Sequence, residues 1–479
     1  MLEIMIKRLF VLLIFVPYLL FAQSAKETEI VILHVNDMHG KIDKMPYLAT
    51  MVKEIQAKHK HVFLFSAGDL FSGNPIVDKY SEKGFPIIDL MNMLPFSLST
   101  IGNHEFDFGG EVLAKRIAEL KHPVVVCNMV KMPKYFSKPK PYEVFKVDDV
   151  QMAVLGITQV GEHGFPDTHP DRVKEFGFVE GKKMARQLMP TLQKYPVRIV
   201  LSHMGVDNDS LLALQAPQIT AIVGGHSHKA LQPMKVVNGV PIVQAENYLK
   251  YLGMMTIKVV NKKVVSVKDT LLPINKNIQP DTALLRKVEF YNNNDEFKKI
   301  VGYVGDTIKG EMALGSLFTD ALQRIAKTDL AVQNSGGIRV HMLPKGAVTV
   351  RQLYELDPFG NELMICKLKP ENLREMIQYG YYKEGKLDIF SAGFKSRVYL
   401  NDANKIAKIE LLDNNNQPLD ENKIYTVAMG SYLCNAYRFG IQGESQSTKM
   451  TTTDALMKFL AQIKSANYAG ATSSEIIHK

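Results

Sequence analysis

Five short apolar runs in the first half of the chain each end in a polar motif, and this repeated pattern constrains the fold more than any other feature. The runs cover residues 30–35, 62–65, 96–101, 197–201 and 221–223. The motifs that follow them are Asp37-Met38-His39, Gly68-Asp69, Gly102-Asn103-His104-Glu105, Ser202-His203 and Gly225-His226-Ser227-His228. Apolar residues at helical spacing follow several of the runs, which predicts strands alternating with helices. In such an α/β fold, polar groups gather beyond the carboxyl ends of the strands, so the motifs predict one site.

The side chains of these motifs match the ligands of divalent metal ions. The predicted ligands are two carboxylates, one amide and four imidazoles, from Asp37, Asp69, Asn103, His39, His203, His226 and His228. This mixed oxygen and nitrogen set without a thiolate suits two borderline divalent ions that share one carboxylate. Zinc, manganese and similar metals remain open. Two such ions lower the pKa of a bound water molecule and supply hydroxide at neutral pH.

His104 and Asp107 are the predicted catalytic pair. An imidazole beside the metals can neutralise the leaving or transferring oxygens of a phosphoryl group, and a carboxylate three residues later can hold the ring in position. The sequence therefore separates two kinds of residue in one short stretch, because Asn103 is predicted to bind metal and His104 to act on the substrate.

At these motifs the chain resembles the calcineurin-like metallophosphoesterases, whose signature runs Asp-x-His, Gly-Asp, Gly-Asn-His-(Asp/Glu), His and Gly-His-x-His. More narrowly, it resembles the bacterial periplasmic 5′-nucleotidase and UDP-sugar hydrolase family. The stretches that carry this narrower resemblance are His104-Glu105-Phe106-Asp107-Phe108-Gly109, Asn334-Ser335-Gly336-Gly337-Ile338-Arg339 and Asp357-Pro358-Phe359-Gly360-Asn361. The resemblance spans nearly all of the chain after its amino-terminal segment.

The resemblance implies a division of the metal ligands into two sets. One metal would be held by Asp37, His39, Asp69 and His228, and the other by Asp69, Asn103, His203 and His226, with Asp69 bridging. His228 stands at a position where the family usually has Gln or Asn. The resemblance also makes His104 and Asp107 the catalytic dyad of the family.

The resemblance further implies a nucleotide pocket in the second half of the chain. Asn334 and Arg339 would belong to this pocket, and Phe359 and Tyr432 would be the two faces of an aromatic clamp. Arg438 stands where the family usually has an Asp that contacts the ribose hydroxyls. We therefore expect poor discrimination between ribose and deoxyribose, with Arg438 meeting a second phosphate or another anionic group.

Hydrolysis of nucleoside 5′-monophosphates to nucleoside and phosphate is the activity that the resemblance implies. The alternatives are a 2′,3′-cyclic-nucleotide 2′-phosphodiesterase with 3′-nucleotidase activity, a UDP-sugar hydrolase, and a nucleotide-binding surface protein without turnover. The intact metal set argues against the last. The net charge of +9 comes from scattered lysines, which attract anionic small molecules. No basic block interleaved with aromatics predicts a nucleic-acid groove.

A chain of 479 residues is too long for one ordinary core and predicts two domains. The expected class is α/β, with a two-sheet α/β sandwich at 27–275, a linker helix at 276–300 and a smaller α+β substrate domain at 301–479. Strand-like pieces at 233–237, 241–245 and 253–260 are expected to form the second sheet of the sandwich.

The amino terminus predicts export. Two basic residues, Lys7 and Arg8, precede an apolar run from Leu9 to Ala22, which has the length of a signal-peptide core and is short for a membrane span. We expect a signal peptide at 1–22 and a soluble periplasmic or secreted protein without a stable membrane anchor, the alternative being an uncleaved anchor. Three cysteines cannot all pair, so buried unpaired thiols are expected.

Overall fold

The computed structural model describes residues 26–437, 439–441, 443 and 445–478. The predicted signal peptide at 1–22 and the pocket residue Arg438 lie outside the described residues. Within the described part, no helix is both long and apolar enough to cross a bilayer.

The first half of the chain contains two large β-sheets with helices on their outer faces and one separate two-stranded sheet. Its strands are β1 (Glu27–Val35), β2 (Val62–Ser66), β3 (Phe96–Ser99), β4 (Met129–Lys131), β5 (Tyr142–Val147), β6 (Val150–Ile157), β7 (Gly177–Phe178), β8 (Val197–Ser202), β9 (Ala221–Val223), β10 (Lys235–Val237), β11 (Val240–Val243), β12 (Tyr251–Val260) and β13 (Lys263–Pro273). Its helices are α1 (Met45–Gln56), α2 (Pro75–Asp78), α3 (Phe85–Met91), α4 (Gly110–Glu119), α5 (Gly181–Leu192) and α6 (Val206–Gln215).

The two sheets pack face to face. One has the strand order β13-β12-β1-β2-β3 and the other β10-β11-β9-β8-β6-β5. Apolar side chains on alternate positions point into the space between them, where Ile32 and Phe65 of one sheet share a buried cluster with Ile199 and Leu201 of the other. This alternation buries one face of each strand against the opposite sheet. The predicted two-sheet α/β sandwich is confirmed.

The composition of the second sheet differs from the prediction. Residues 235–237 and 240–243 do join it, but β12 pairs antiparallel with β1 in the first sheet, from Glu27 opposite Val260 to His34 opposite Gly253. The rest of the second sheet comes from β5, β6, β8 and β9, which precede His228. A strand with alternating apolar residues fits either sheet, and its partner lies far away in sequence. The polar motifs therefore arrive from both sheets.

The helices form where apolar residues recur every three or four positions. In α1, Met45, Leu48, Ala49 and Val52 are buried, and Pro46 occupies the first turn, where its missing N–H is harmless. Helix α7 (Thr282–Asn292) lies within the range 276–300 that was predicted as a linker. The Asp281 side chain caps this helix by accepting from the second and third backbone N–H groups that follow Asp281.

The second half of the chain is a mixed α+β domain. Its helices are α8 (Asp295–Lys298), α9 (Glu311–Ala326), α10 (Val350–Leu356), α11 (Pro370–Glu384), α12 (Ser431–Ala436) and α13 (Thr452–Gln462). Its strands are β14 (Ile300–Val304), β15 (Ile308–Lys309), β16 (Leu330–Asn334), β17 (Met342–Leu343), β18 (Gly346–Thr349), β19 (Glu362–Leu368), β20 (Ile389–Ala392), β21 (Lys395–Leu400), β22 (Ile406–Leu412), β23 (Tyr425–Gly430), β24 (Gln446–Thr451) and β25 (Ser474–His478). A five-stranded sheet, in the order β20-β16-β23-β19-β24, is its centre.

Candidate metal centre and active site

The five polar motifs meet beyond the carboxyl ends of β1, β2, β3, β8 and β9. Asp37, His39 and His228 form a first group whose ligand atoms lie within 4.8 Å of one another, and Asp69, His203 and His226 form a second. A third group of the same kind contains His39, Asp69 and His104. Asn103 joins the second group because its Oδ1 lies 3.0 Å from His226 Nδ1. The structure thus brings all seven predicted ligands together.

Asp69 lies between the two groups. Its Oδ2 is 3.0 Å from His203 Nε2 and 3.7 Å from His39 Nε2. In the first group, His228 Nε2 is 3.1 Å from Asp37 Oδ1 and 3.2 Å from His39 Nε2. A carboxylate in the position of Asp69 can bridge two cations.

The orientation of the imidazole rings fits a metal. His203 Nδ1 donates to the Ala67 carbonyl at 2.6 Å, so its Nε2 carries a lone pair that faces Asp69. His203 Nε2 is buried and has no hydrogen-bond partner among the described residues. His39 also donates from Nδ1 to a backbone carbonyl, at 2.9 Å, and presents its Nε2 lone pair to His228. Facing lone pairs in a buried site repel unless a cation lies between them, so this donor set fits divalent metal ions.

The charges of the cluster lead to the same conclusion. Burial opposes a charge on His203, but Asp69, Asp37 and the Ala67 carbonyl together outweigh burial and raise the pKa of His203 to about 10. Burial also acts to raise the pKa of Asp69, but His203 and His104 hold it well below its ordinary value. The protein therefore favours positive charge between Asp69 and His203, which a metal ion would supply in place of a proton.

The backbone is strained at the cluster. Five of the predicted ligand residues have positive φ angles, namely Asp37 at 51°, His39 at 47°, Asp69 at 57°, His226 at 73° and His228 at 52°. A left-handed conformation costs a residue with a Cβ roughly 1–2 kcal/mol. Strained residues persist where the surrounding structure imposes them, and they cluster at functional sites.

Close backbone packing fixes the position of Asp69. A Cβ atom on Gly102 would lie 2.1 Å from Asp69 Oδ1, and one on Gly68, whose φ is +87°, would lie 2.6 Å from the Gly102 nitrogen. The Glu105 carboxylate ties the two turns together by accepting from the Gly102 N–H at 2.6 Å and the Asp69 N–H at 3.0 Å. The glycines and the glutamate of the motifs are thus structural parts of the centre.

His104 and Asp107 form a hydrogen-bonded pair beside the cluster. His104 Nδ1 donates to Asp107 Oδ2 at 2.7 Å, and the Thr168 hydroxyl donates to Asp107 Oδ1 at 2.8 Å. Burial lowers the pKa of His104, but Asp107 and Asp69 outweigh burial and raise it above the ordinary value. A protonated His104 can donate to an oxygen of a phosphate ester.

Two predicted substrate residues of the second domain reach this centre. Arg339 Nη2 donates to His39 Nε2 at 2.9 Å. The ring of Phe359 stacks on His104 with a centroid distance of 5.6 Å. A guanidinium group at the metal cluster is suited to phosphate oxygens, so two of the predicted pocket residues lie beside the metal cluster.

The other two described residues that were predicted for the pocket make contacts within the second domain. The Tyr432 backbone N–H donates to Asn361 Oδ1 at 3.2 Å, which ties α12 to the segment that carries Phe359. Asn334 Oδ1 accepts from the side chain of Gln333 at 3.3 Å.

Comparison with known families decides the class of the protein. Residues 30–230 match the family model of the calcineurin-like phosphoesterases, and residues 298–438 match that of the 5′-nucleotidase C-terminal domain. The chain belongs to the calcineurin-like phosphoesterases with a 5′-nucleotidase C-terminal domain. It is therefore a metal-dependent phosphoester hydrolase.

Individual relatives are distant but extend over most of the chain. It is 26% identical to 5′-nucleotidase of Bos taurus, with 86% of this chain and 83% of that protein covered. It is also 26% identical to Endonuclease YhcR of Bacillus subtilis over 90% of this chain, but it spans only 39% of the length of that protein. The crystal structure of a 5′-nucleotidase precursor from Thermus thermophilus has the same fold, with a TM-score of 0.82, 24% identity, and 94% and 99% of the two chains covered.

Asn247 is a residue of this calcineurin-like centre that sequence reasoning missed. Its amide Nδ2 lies 2.9 Å from His228 Nδ1, while its Oδ1 is buried without a hydrogen-bond partner among the described residues. The oxygen and nitrogen of an amide have nearly the same shape and can be exchanged. The exchanged amide accepts from His228 Nδ1 and leaves the Nε2 lone pair facing Asp37, which is the form that binds metal. No motif surrounds Asn247 in the sequence.

Loss of the Asn247 amide is expected to weaken metal binding. Asn247→Leu should lower metal affinity roughly 10- to 100-fold, the usual effect of removing such a partner. Asn247→Asp should retain affinity because a carboxylate also accepts from His228 Nδ1. Metal titration followed by elemental analysis measures both, with Asn92→Leu, whose side chain contacts Glu119 and Lys121 instead, as the control. Equal affinity in all three variants would contradict this role.

Asp107→Asn is expected to change the pH dependence of turnover. Asp107 is the largest influence that raises the pKa of His104 against burial, so its loss should lower that pKa. His104 then loses its proton at a lower pH, and the alkaline limb of the plot of kcat against pH should move to lower pH. Asp148→Asn is the control, because Asp148 lies away from the centre. There its Oδ2 is 2.9 Å from His61 Nε2. An alkaline limb that stays in place would show that His104 does not act as the acid.

Proposed function

We propose that the protein is an exported 5′-nucleotidase that hydrolyses nucleoside 5′-monophosphates to nucleoside and phosphate at a centre of two divalent metals. The observation that carries this proposal is the meeting of both domains at one cleft, where Arg339 contacts the metal ligand His39 and Phe359 stacks on His104. Such a cleft fits a ligand in which a sugar joins a phosphate to an aromatic base.

In this proposal the metal ligands divide as the resemblance implies. Asp37, His39 and His228 would hold one ion, Asn103, His203 and His226 would hold the other, and Asp69 would serve both. When bound, such ions neutralise phosphoryl oxygens and ionise water at neutral pH. Residues 27–275 would form the metal domain, 276–300 the linker and 301–479 the substrate domain.

The residues around the metals divide the remaining work. Arg339 approaches the cluster from the second domain and neutralises a phosphate oxygen. His104, held by Asp107, donates its proton to an oxygen of the ester as the bond to the nucleoside breaks. Phe359 and Tyr432 hold the base, and the bond between Asn361 and the Tyr432 N–H keeps the two aromatic segments together.

Export is proposed from the amino-terminal sequence. The basic pair Lys7-Arg8 and the apolar run from Leu9 to Ala22 are typical of a signal peptide. Cleavage after Ala22 in secreted material, measured by amino-terminal sequencing, tests this part separately from the activity.

A substrate panel tests the proposed activity. Phosphate release from AMP should exceed release from 2′,3′-cyclic AMP, UDP-glucose and p-nitrophenyl phosphate in kcat/KM. Preference for the cyclic nucleotide or for UDP-glucose would contradict the proposal and favour the corresponding alternative activity.

A variant of the aromatic clamp tests whether the base is bound as proposed. One stacked face contributes about 1–3 kcal/mol, so Phe359→Ala should raise KM for AMP by tens of fold. The KM for p-nitrophenyl phosphate, which carries no nucleobase, should change much less. Phe290→Ala, at a site on the surface of α7 that is 65% exposed, is the control. An unchanged KM for AMP in Phe359→Ala would remove the clamp from the proposal.

A further inference from the structure

Asp167 of the first domain is close both to the metal centre and to a lysine of the second domain. The backbone carbonyl of Asp167 accepts from Nδ2 of the metal-centre residue Asn103 at 2.9 Å. The Asp167 side chain extends toward the second domain, where its Oδ2 is 3.9 Å from Lys383 Nζ. Asp167 thus contacts both parts of the cleft.

Lys383 and Tyr432 both lie next to Tyr437: Lys383 Nζ is 5.7 Å from the centroid of the Tyr437 ring, and the centroid of the Tyr432 ring is 6.3 Å from it. Burial raises the pKa of Tyr432 to about 12, the cation of Lys383 opposes that rise, and the carboxylate of Asp167 adds to it. Charges act on the hydroxyl in this way only when they are near it. Lys383 also lies 3.5 Å from Glu384, and only 23% of its side chain is exposed.

The order of phosphate, sugar and base in a nucleotide determines which of these groups lies near Asp167 and Lys383. If the phosphate is at the metal centre and the base is at Phe359 and Tyr432, the sugar that joins them lies between these two places. Asp167 and Lys383 are charged residues of the described part of the chain, and their contacts lead from the metal centre to the second domain. The sugar presents neighbouring hydroxyl groups, each of which is both a donor and an acceptor.

We propose that Asp167 and Lys383 bind the ribose hydroxyls of the nucleotide, an inference that rests on the proposed function. The carboxylate accepts from a hydroxyl, and the ammonium donates to a hydroxyl oxygen. At 3.9 Å the two groups attract each other without sharing a hydrogen bond, so each has hydrogen-bonding capacity left for the sugar.

The Asp167 side chain is held in place by the loop around it. The Asp167 N–H donates to Gln159 Oε1 at 2.8 Å, and a Cβ atom on Gly161 would lie 2.4 Å from Asp167 Oδ1. A side chain at position 161 would displace the carboxylate. The acid expected at position 438 is an arginine in this chain, and in this proposal an acid from the other domain takes its role. This reverses the expectation of poor sugar discrimination.

Sugar-modified substrates test the proposal. Hydrogen bonds to charged groups are strong enough that AMP should exceed 2′,3′-dideoxy-AMP in kcat/KM by about 10- to 100-fold. Asp167→Ala and Lys383→Met should each lower kcat/KM for AMP while leaving that for 2′,3′-dideoxy-AMP essentially unchanged. Product inhibition should change in parallel, with weaker inhibition by adenosine in both variants. 2′-Deoxy-AMP and 3′-deoxy-AMP then identify which hydroxyl each residue binds.

Controls keep this result distinct from other causes. Asp171→Ala changes a neighbouring carboxylate whose side chain is 74% exposed and should behave as the parent. Asp167→Asn preserves the shape of the side chain and gives the same comparison if the alanine variant does not fold. Equal losses on AMP and 2′,3′-dideoxy-AMP, or no preference in the parent, would overturn the proposal. Absence of phosphate release from AMP in the parent would instead overturn the proposed function.

Discussion

Asp69→Asn is expected to abolish both metal binding and phosphate release. The Asp69 carboxylate approaches ligands of both groups, at 3.0 Å from His203 Nε2 and 3.7 Å from His39 Nε2. Its Oδ1 also accepts from the His104 backbone N–H at 3.0 Å. An amide has one acceptor oxygen and no charge, so neither ion is held as before, and kcat/KM should fall by roughly 10³-fold or more.

A second variant at the cluster provides the comparison. His228→Ala removes a ligand of the first group only, from a side chain that is 27% exposed. We expect a partial loss of metal, with one ion retained, and a smaller loss of activity than for Asp69→Asn. Elemental analysis of the purified proteins and phosphate release from AMP measure both effects. Retention of two ions by Asp69→Asn, or a larger effect of His228→Ala, would contradict the bridging position.

His104→Ala is expected to lower kcat roughly 10²-fold or more, the usual scale for a positioned acid. The metal content should stay near that of the parent, because the ligand set is complete without His104. His104 belongs chemically to the dyad, through its 2.7 Å bond to Asp107, although its ring lies close to His39 and Asp69. A low kcat with full metal content would identify His104 as the acid of the dyad and not as a metal ligand.

A histidine outside the centre is the control for this experiment. His59→Ala removes an imidazole that contacts Glu29 at 2.8 Å and should change neither quantity. Loss of metal together with activity in His104→Ala would instead make His104 a ligand.

Local motifs explain why much of the centre was predictable. Each predicted ligand directly follows an apolar run, and side chains at the ends of neighbouring strands converge whatever the rest of the chain does. The Gly-Asn-His-Glu motif also includes the structural parts of the site, since Gly102 and Glu105 hold Asp69 through short backbone contacts. Gly102 and Glu105 are close in sequence to the ligands and contact the backbone directly, so few other amino acids would fit at these positions.

Residues that act from loops could not be predicted. Asn247, Thr168 and Asp167 are ordinary polar residues in segments without a motif, and each gains its contact only when distant segments pack together. The same reason explains the pairing of β12, because its alternating apolar pattern is compatible with either sheet and β1 lies far away in sequence. The family resemblance implied a role for Arg339 in the pocket, but its contact with His39 depends on how the two domains meet.

Metal titration of the stripped protein tests the central claim most directly. The full chain is freed of metal with a chelator, and manganese or zinc is added in steps while bound metal and phosphate release from AMP are measured together. The account predicts no turnover without metal and full activity only when two ions are bound per chain. Full activity in the stripped protein, or a maximum reached at one ion, would contradict it.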